Sequence, residues 1–280
     1  MKVGMNLLLW TAAANESHVP LLKDIKSWGF DGVELPMFAL DGSPWKDLSK
    51  ALDDIGLGRT VVAVLPGDTN LIGENAAERQ AALDFIKGCV DKSVELGAET
   101  VAGPIYSPVG RLVGRGPTDQ EKDWAVEGLK AAAKHAEGSG VALSVEPLNR
   151  FETYFLNAEA DAVELIKRID SKAAGILYDT FHANIEEKGV ADAIKTGGNL
   201  INHVHISAND RATPGEDHVH WADTFATLKS IGYDGWLTIE AFGAWLPELT
   251  GATCIWRKMA PSEEHVARNG LKFIKESWLA

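Results

Sequence analysis

Four side chains that can bind a metal or move a proton stand at the ends of short apolar runs. They are Glu146, Asp179, His205 and Glu240, and the intervals between them are 33, 26 and 35 residues. The carboxyl ends of neighbouring parallel strands meet at one edge of a sheet or barrel, so residues in these positions converge. Three carboxylates gathered without a counter-charge would repel one another, and a divalent cation is the simplest way to neutralise them. The sequence therefore predicts a metal site made of these four side chains.

The donor set also indicates which metal the site would take. Oxygen ligands together with one imidazole suit Mn²⁺, Mg²⁺ or Co²⁺. A structural zinc is usually enclosed by cysteines and histidines, and neither Cys89 nor Cys254 belongs to this set. We expect one divalent ion per subunit, with Mn²⁺ as the first choice. The alternative, four separate buried residues with hydrogen-bond partners of their own, would require the same coincidence at four equivalent positions.

Polar residues beyond these positions are candidates for holding a ligand at the metal. Glu152, His182 and Arg211 lie three to six residues after the first three candidate ligands, in segments that we read as loops. The loops at the carboxyl ends of barrel strands carry the substrate contacts in enzymes of that architecture. We therefore predict that these three side chains contact the substrate.

Two further titratable residues, Glu34 and His203, each have two possible roles. Glu34 ends another apolar run, where it would either contact substrate or balance a buried charge. His203 lies two residues before His205 and shares its strand face. For His203 we favour a hydrogen-bonded core histidine over a ligand of a second metal.

Short apolar runs alternate with stretches of helical spacing along the whole chain. The stripe of Val19, Leu22, Ile25 and Trp28 is typical of the helical stretches. Such alternation predicts a parallel sheet with helical crossovers, and eight units in 280 residues predict a (β/α)8 TIM barrel, a single domain over residues 1–280. A doubly wound open sheet is the alternative, but its glycine-rich nucleotide motifs are absent. The predicted strands are residues 3–7, 32–35, 60–64, 100–103, 142–146, 175–179, 201–205 and 236–240.

Two long segments without a strand pattern follow predicted strands. Tyr106–Pro117 follows the fourth, and Gly243–Pro261, which carries Trp245 and Trp256, follows the eighth. We predict that both are loops at the face where barrel enzymes form their active sites.

The composition narrows the class of protein. Hydrophobic residues make up 45% and charged residues 24% of the chain, which excludes a disordered or fibrous protein. With 27 basic and 40 acidic residues the formal net charge is -13, so nucleic acid and anionic membranes are poor partners. No apolar run is long enough to cross a membrane, and the short one at the N-terminus fits a first strand better than a secretory signal. Two cysteines without a disulfide framework are typical of a reducing compartment, and we expect a cytoplasmic location.

Several sequence runs around the candidate residues resemble one group of barrel enzymes. The group is the ketose 3-epimerases, which includes the D-tagatose, D-allulose (psicose) and L-ribulose 3-epimerases and belongs to the xylose isomerase-like barrels. The resemblance covers essentially the whole chain, and the run Ile255-Trp256-Arg257 indicates this group rather than the wider superfamily. The other runs that carry it are SVEPLNR at 144–150, YDTFH at 178–182, HVHIS at 203–207, NDR at 209–211, and IGYDG at 231–235 followed by Ile239-Glu240.

The resemblance implies roles for individual residues. It implies that Glu146 and Glu240 are the acid/base pair as well as metal ligands, with Asp179 and His205 completing the metal site. It implies that Glu152, His182 and Arg211 hold the substrate oxygens, and that the protein is a homodimer or homotetramer. Two departures concern substrate preference: Ala208 stands where relatives often have a glutamate, and His220 stands where a proline is common.

The predicted activity is a metal-dependent inversion of C3 in free ketoses of the D-fructose/D-allulose, D-tagatose/D-sorbose or L-ribulose/L-xylulose type. The proton next to a ketone is weakly acidic, so its removal needs a cation near the carbonyl oxygen and a well-placed base. Two carboxylates on opposite sides of a planar intermediate can remove and return that proton. The alternatives are an aldose–ketose or hydroxypyruvate-type isomerase, an inosose dehydratase-like lyase, and a sugar-binding barrel without catalysis. No phosphate-binding glycine loop is evident, which favours an unphosphorylated substrate.

Overall fold

Eight parallel strands form a closed barrel in which each strand pairs with the next one along the chain. We describe a computed structural model over residues 1–243 and 246–280. The ring closes between the first and last strands, where Gly4 pairs with Thr238. The predicted (β/α)8 barrel is confirmed, and every predicted run overlaps one of the eight strands. The strands are β1 (Lys2–Asn6), β2 (Gly32–Pro36), β3 (Gly58–Val62), β4 (Thr100–Gly103), β5 (Ala142–Val145), β6 (Ala174–Asp179), β7 (Ile201–Ile206) and β8 (Trp236–Ile239).

Helices alternate with the strands and bury one side each. In the first helix Leu22 and Ile25 are buried while Lys23 and Lys26 are exposed, as the helical spacing of its apolar residues requires. No helix among the described residues is long and apolar enough to span a membrane. The helices are α1 (Val19–Trp28), α2 (Trp45–Ile55), α3 (Ala76–Leu96), α4 (Asp119–Ala136), α5 (Glu159–Ile169), α6 (Thr180–Glu186), α7 (Val190–Gly197), α8 (Trp221–Ser230), α9 (Pro247–Thr253) and α10 (Glu263–Leu279).

The barrel interior contains a fully buried layer just below the carboxyl-terminal rim. Its members are the residues two positions before the candidate ligands: Ser144, Leu177, His203 and Thr238. The layer is held in register by strand pairing, since Leu177 is opposite His203 across β6 and β7. Because side chains alternate along a strand, the candidate ligands project from the same face, directly above this layer.

The segment that carries His182 is a helix, so its prediction as a loop is wrong. The helix α6 begins immediately after β6 without an intervening turn. Asp179 at the end of the strand accepts a hydrogen bond from the Phe181 amide on Oδ1 (2.6 Å) and so caps the helix.

The prediction of one loop over Gly243–Pro261 is also wrong, since α9 lies within it. This helix has a proline at its first position, where a missing amide proton costs nothing. Trp256 is 73% exposed, and Trp245 lies outside the described residues. Leu249 of α9 belongs to a small apolar cluster that is separate from the main core. The buried members of this cluster are Leu8, Val62, Phe242, Leu249 and Ile255.

Candidate active site

The four predicted ligands meet at the carboxyl-terminal rim of the barrel, and all four are buried. One donor atom from each lies within 4.8 Å of the other three. His205 Nδ1 is 3.4 Å from Glu240 Oε1 and 3.7 Å from Asp179 Oδ2. The same nitrogen is 4.0 Å from Glu146 Oε1 and has no hydrogen-bond partner, although it is fully buried. An unpartnered imidazole nitrogen facing three carboxylates is an arrangement that a divalent cation would complete, so these residues fit a metal.

The backbone around Glu146 is held by two contacts from the preceding unit of the barrel. Its amide donates to the Gly103 carbonyl (3.1 Å), and its own carbonyl accepts from the Tyr106 hydroxyl (3.0 Å). Gly103 has a φ of +130°, and a Cβ at this position would lie 2.2 Å from the Ala63 carbonyl oxygen. Only glycine fits there. Because the Gly103 carbonyl accepts from the Glu146 amide, the position of Gly103 also sets the position of the Glu146 backbone at the end of β5.

The segments after β6 and β7 are joined by the Thr180 side chain. Its hydroxyl donates to the Ser207 carbonyl (2.7 Å) and accepts from the Ser207 amide (2.8 Å). These bonds tie the start of α6, next to Asp179, to the segment that leads to Arg211. The two segments therefore bring their side chains to the site as one unit.

Arg211 lies among the carboxylates rather than beside them. Its Nη1 donates to Asp179 Oδ2 (3.1 Å) and Glu240 Oε2 (2.6 Å), and its guanidinium stacks on the Phe181 ring with 3.8 Å from Cζ to the ring centroid. The residue adopts a φ of 62°, which is uncommon for a side-chain-bearing residue and marks a constrained position. The sequence alone indicates three carboxylates without a counter-charge, but in the structure one guanidinium pairs with two of them.

This pairing makes the carboxyl groups electrostatically unequal. Burial and the nearby Glu240 raise the pKa of Glu146 well above its usual range. Burial also opposes ionisation of Asp179, but the Arg211 guanidinium and the His205 imidazole outweigh it and hold the pKa of Asp179 well below its usual range. The repulsion expected from the sequence is therefore concentrated on Glu146, the ligand that Arg211 does not contact.

The structure brings the other two predicted substrate contacts to the same place. The Asn149 amide donates to His182 Nδ1 (2.9 Å), and Asn149 Nδ2 donates to Glu152 Oε1 (2.8 Å). His182 Nε2 lies 3.0 Å from Arg211 Nη2, a group that can only donate, and 3.7 Å from Glu146 Oε1, so both ring nitrogens face donors. Burial and the Arg211 charge lower the pKa of His182 to about 3, so the ring is neutral. Burial raises the pKa of Glu152.

A cavity of about 430 Å³ opens above these residues and has two unlike walls. Glu146, Glu240, Glu152, His182 and Arg211 form the polar wall. The opposite wall comes from the first half of the barrel, from the end of β8 and from α9. It includes Leu8, Phe38, Val62, Leu65, Phe242 and Leu249. A ligand in the cavity would place its polar atoms against the first wall and carbon-bound hydrogens against the second.

Glu34 and His203 lie beneath the site and are not on the cavity wall. Glu34 Oε1 accepts from Asn6 Nδ2 (2.9 Å) and Oε2 accepts from Thr60 Oγ1 (2.8 Å), while His203 Nε2 is 2.8 Å from Oε2. Although burial favours its neutral form, the adjacent His205 and His203 hold the pKa of Glu34 well below its usual range. These contacts have hydrogen-bond lengths, and the geometry supports a buried compensated charge rather than a substrate contact.

The two positions that depart from the family pattern lie outside the cavity wall. Ala208 is fully buried, and its carbonyl accepts from the Arg211 amide (2.9 Å). His220 is exposed where α8 begins, and its carbonyl accepts from the Thr224 amide (3.0 Å). Neither side chain lines the cavity, so an effect on substrate preference would be indirect.

Three contributors were not singled out from the sequence. Asn6 donates to Glu34, Tyr106 supports Glu146, and Asn149 orients both His182 and Glu152. Asn6 and Asn149 carry a signal, because each is a polar residue at the carboxyl end of an apolar run. Tyr106 carries none, since its partner is a backbone carbonyl 40 positions away.

The match to a family model agrees with this geometry. Residues 22–277 match the family described as the xylose isomerase-like TIM barrel. The match includes the strands β2 to β8 and every candidate site residue named above except Asn6.

Similar proteins of known name extend the match over nearly the whole chain. A probable ketose 3-epimerase of Synechocystis sp. is 33% identical over 280 residues, which are 99% of this chain and 97% of that protein. A D-psicose 3-epimerase of Agrobacterium fabrum is 29% identical, with 98% of each chain covered. A solved structure of an L-ribulose 3-epimerase has a TM-score of 0.94 at 27% identity and covers 99% of this chain and 94% of that one. The chain therefore belongs to the xylose isomerase-like TIM barrel family and, within it, to the ketose 3-epimerases, a group of isomerases.

Proposed function

We propose that the protein is a metal-dependent epimerase that inverts C3 of free ketoses. The observation that carries the proposal is that two buried carboxylates, Glu146 and Glu240, share one cavity wall with the polar side chains of Glu152, His182 and Arg211. The names of the similar proteins support a ketose such as psicose or ribulose as the substrate. The preferred sugar is taken to be of the D-fructose, D-tagatose or L-ribulose type.

The metal of this enzyme would be held by Glu146, Asp179, His205 and Glu240. When bound, a divalent cation supplies positive charge that stabilises negative charge developing on the substrate oxygens. We propose Mn²⁺, with Co²⁺ or Mg²⁺ as alternatives, because the donor set is rich in hard oxygen ligands. The unpartnered Nδ1 of His205 supports a cation at this position.

The proton transfers are assigned to Glu146 and Glu240. One carboxylate removes the C3 proton from one face of the substrate, and the other returns a proton to the opposite face. A positioned acid or base of this kind contributes about 10²- to 10⁴-fold to the rate. The two side chains leave the ends of β5 and β8, which β6 and β7 separate in the ring. This separation supports positions on two sides of the substrate.

The substrate oxygens near the reacting carbon would be held by Glu152, His182 and Arg211. Arg211 is a donor, Glu152 is an acceptor when ionised, and His182 adds a buried imidazole whose Nε2 lies 3.0 Å from Arg211 Nη2. A polyhydroxy ketone presents both acceptors and donors, so a mixed set of this kind suits it. The apolar wall would face the far end of the sugar.

The charges along the cavity favour a substrate without a phosphate group. Among the described residues Arg211 is the only lysine or arginine on the cavity wall, and its guanidinium is already paired with Asp179 and Glu240. A phosphate dianion would meet carboxylates and apolar side chains there. Sites that bind phosphate offer free cations or a cluster of amide donors instead.

Deuterium incorporation tests the proposal. The Mn²⁺-loaded protein is incubated in D₂O with D-fructose, D-tagatose and L-ribulose, and the products are analysed by NMR. We expect deuterium at C3 with inversion of configuration. Deuterium at C2 of an aldose product or at C1 of the recovered ketose, with none at C3, would instead establish an aldose–ketose isomerase, and loss of water would establish a lyase of the inosose dehydratase type.

Chelation tests the metal separately. We expect a chelator to abolish turnover and added Mn²⁺ to restore it, and unchanged turnover would overturn the metal assignment. The proposed homodimer or homotetramer is measured by light scattering on the same sample.

A further inference from the structure

Glu34 has a place in the site that none of the assigned roles uses. It is fully buried at β2, three strands away from β7 around the ring, yet it contacts the His205 imidazole from below. We propose that Glu34 is a positioning residue that fixes the His205 ring so that Nδ1 is the metal-binding nitrogen. This inference rests on the metal site of the proposed function.

The hydrogen bonds of Glu34 determine which nitrogen of the His205 ring carries the proton. Oε1 receives Asn6 Nδ2 at 2.9 Å and His205 Nε2 at 2.7 Å, and Oε2 receives Thr60 Oγ1 at 2.8 Å. An asparagine NH₂ group can only donate, so Oε1 is an acceptor and His205 Nε2 is the donor to it. The Glu34–His205 bond therefore places the single proton of a neutral imidazole on Nε2.

The consequence for the metal site follows from the other ring nitrogen. With the proton on Nε2, Nδ1 keeps its lone pair and faces Glu146, Asp179 and Glu240 at 3.4–4.0 Å. Both the His205 and Glu34 side chains are 0% exposed, so no bulk water can replace the carboxylate if it is removed. A histidine ligand whose second nitrogen donates to a carboxylate is held in tautomer and in ring orientation.

The role is indirect, because Glu34 does not reach the cavity. The cavity wall contains Glu146, Glu240 and Arg211 but not Glu34. Its variants should therefore act first on metal affinity and only through it on turnover. Loss of a carboxylate that supports a metal ligand typically weakens metal binding about 10- to 100-fold.

Mn²⁺ titration by calorimetry compares Glu34→Gln with a matched control, Thr60→Val. Gln keeps the size of the side chain but replaces the carboxylate by a neutral amide, whereas Val removes one hydrogen bond to Glu34 and leaves the bond to His205 intact. We expect a Kd for Mn²⁺ about 10- to 100-fold higher in Glu34→Gln and within about threefold of the wild type in Thr60→Val. Equal Mn²⁺ affinity of Glu34→Gln and the wild type would overturn the positioning role.

A spectroscopic readout separates positioning from a general loss of stability. In the Co²⁺-loaded wild type we expect one solvent-exchangeable, paramagnetically shifted proton resonance from His205 Nε2–H. It should be lost or displaced in Glu34→Gln and kept in Thr60→Val. A lower Tm of Glu34→Gln with this resonance and the Mn²⁺ affinity unchanged would show a merely structural role. If Glu34→Gln yields no folded protein, Glu34→Asp keeps the charge with a side chain one methylene shorter, and the same weakening of Mn²⁺ binding is expected; wild-type Mn²⁺ affinity in that variant would overturn the proposal.

The two proposals fail in different ways. A wild-type protein that binds no Mn²⁺ or does not invert C3 contradicts the proposed function. A wild-type protein that does both, beside a Glu34→Gln variant with unchanged Mn²⁺ affinity, contradicts only the role of Glu34.

Discussion

The two halves of the barrel end their strands in different kinds of residue. In the half from β5 to β8, each strand has a side chain that can bind a metal or transfer a proton within one position of its end. In the half from β1 to β4, the residues within one position of each strand end include a single polar side chain, that of Asn6. Eightfold repetition of the backbone therefore does not repeat the chemistry, which is concentrated on one side of the rim.

The first half contributes in other ways. Glu34, Asn6 and Thr60 support His205 from beneath, and Gly103 holds the Glu146 backbone. Val62 and its apolar neighbours form the wall opposite the carboxylates. The candidate reactive side chains of the second half thus depend on the first half for their positions and for an apolar wall. We therefore expect substitutions in the two halves to affect different properties, as well as to differ in the size of their effects.

The largest effect is expected in the second half, from Glu240→Gln. The variant keeps the shape of the side chain and removes one of the two carboxylates that we propose move the C3 proton, so kcat should fall by about 10²- to 10⁴-fold. Steady-state kinetics and C3 deuterium exchange measure it. Turnover within a factor of two of the wild type would remove Glu240 from the mechanism.

A smaller loss is expected from Arg211→Lys, also in the second half. Lysine keeps the charge but lacks the planar guanidinium that stacks on Phe181 while its Nη1 donates to Asp179 and Glu240. Loss of one charged hydrogen bond is worth about 1.5–3 kcal/mol, so kcat/KM should fall about 10- to 100-fold. Arg168→Lys is the control, because Arg168 pairs with Asp123 on the exposed surface, and it should leave kcat/KM unchanged. Equal losses in both variants would contradict a specific role for Arg211.

In the first half, Gly103→Ala should lower the stability of the fold more than it lowers the catalytic rate. A Cβ would lie 2.2 Å from the Ala63 carbonyl oxygen, at a φ of +130° that alanine rarely adopts. We expect the free energy of unfolding to fall by about 1–3 kcal/mol, measured by denaturant titration. Gly116→Ala is the control, since nothing lies within 4 Å of its Cβ position. An unchanged Gly103→Ala protein would show that this strand end is not constrained.

The smallest effect is expected from Val62→Thr, on the apolar wall. The substitution keeps the shape and replaces one methyl group by a hydroxyl on the cavity wall, which we propose contacts the substrate equally before and during reaction. Contacts of this uniform kind change KM and leave kcat alone. We expect KM to rise by less than about fivefold with kcat unchanged. A loss of kcat above about tenfold would contradict the expectation that this wall affects substrate binding and not the chemical step.

The sequence predicted the strands well because each is a short, continuous apolar run, as buried parallel strands are. It also predicted which residues converge, because position at a strand end is a property of the chain. It did not predict α6, since one capping bond from Asp179 to the Phe181 amide decides whether that segment is helical. The pairing of Arg211 with Asp179 and Glu240, and of Glu34 with His205 across 171 positions, depends on side-chain rotamers that no spacing encodes.

Asp179 divides its two oxygens between tasks that differ in kind. Oδ1 caps α6 through the Phe181 amide, while Oδ2 faces Arg211 and His205. One carboxylate thus both caps a helix and belongs to the candidate metal site, so we expect a change of charge at Oδ2 to alter the bond that holds the Phe181 amide. Asparagine could serve the first task and glutamate the second, but only aspartate has the reach and the charge for both.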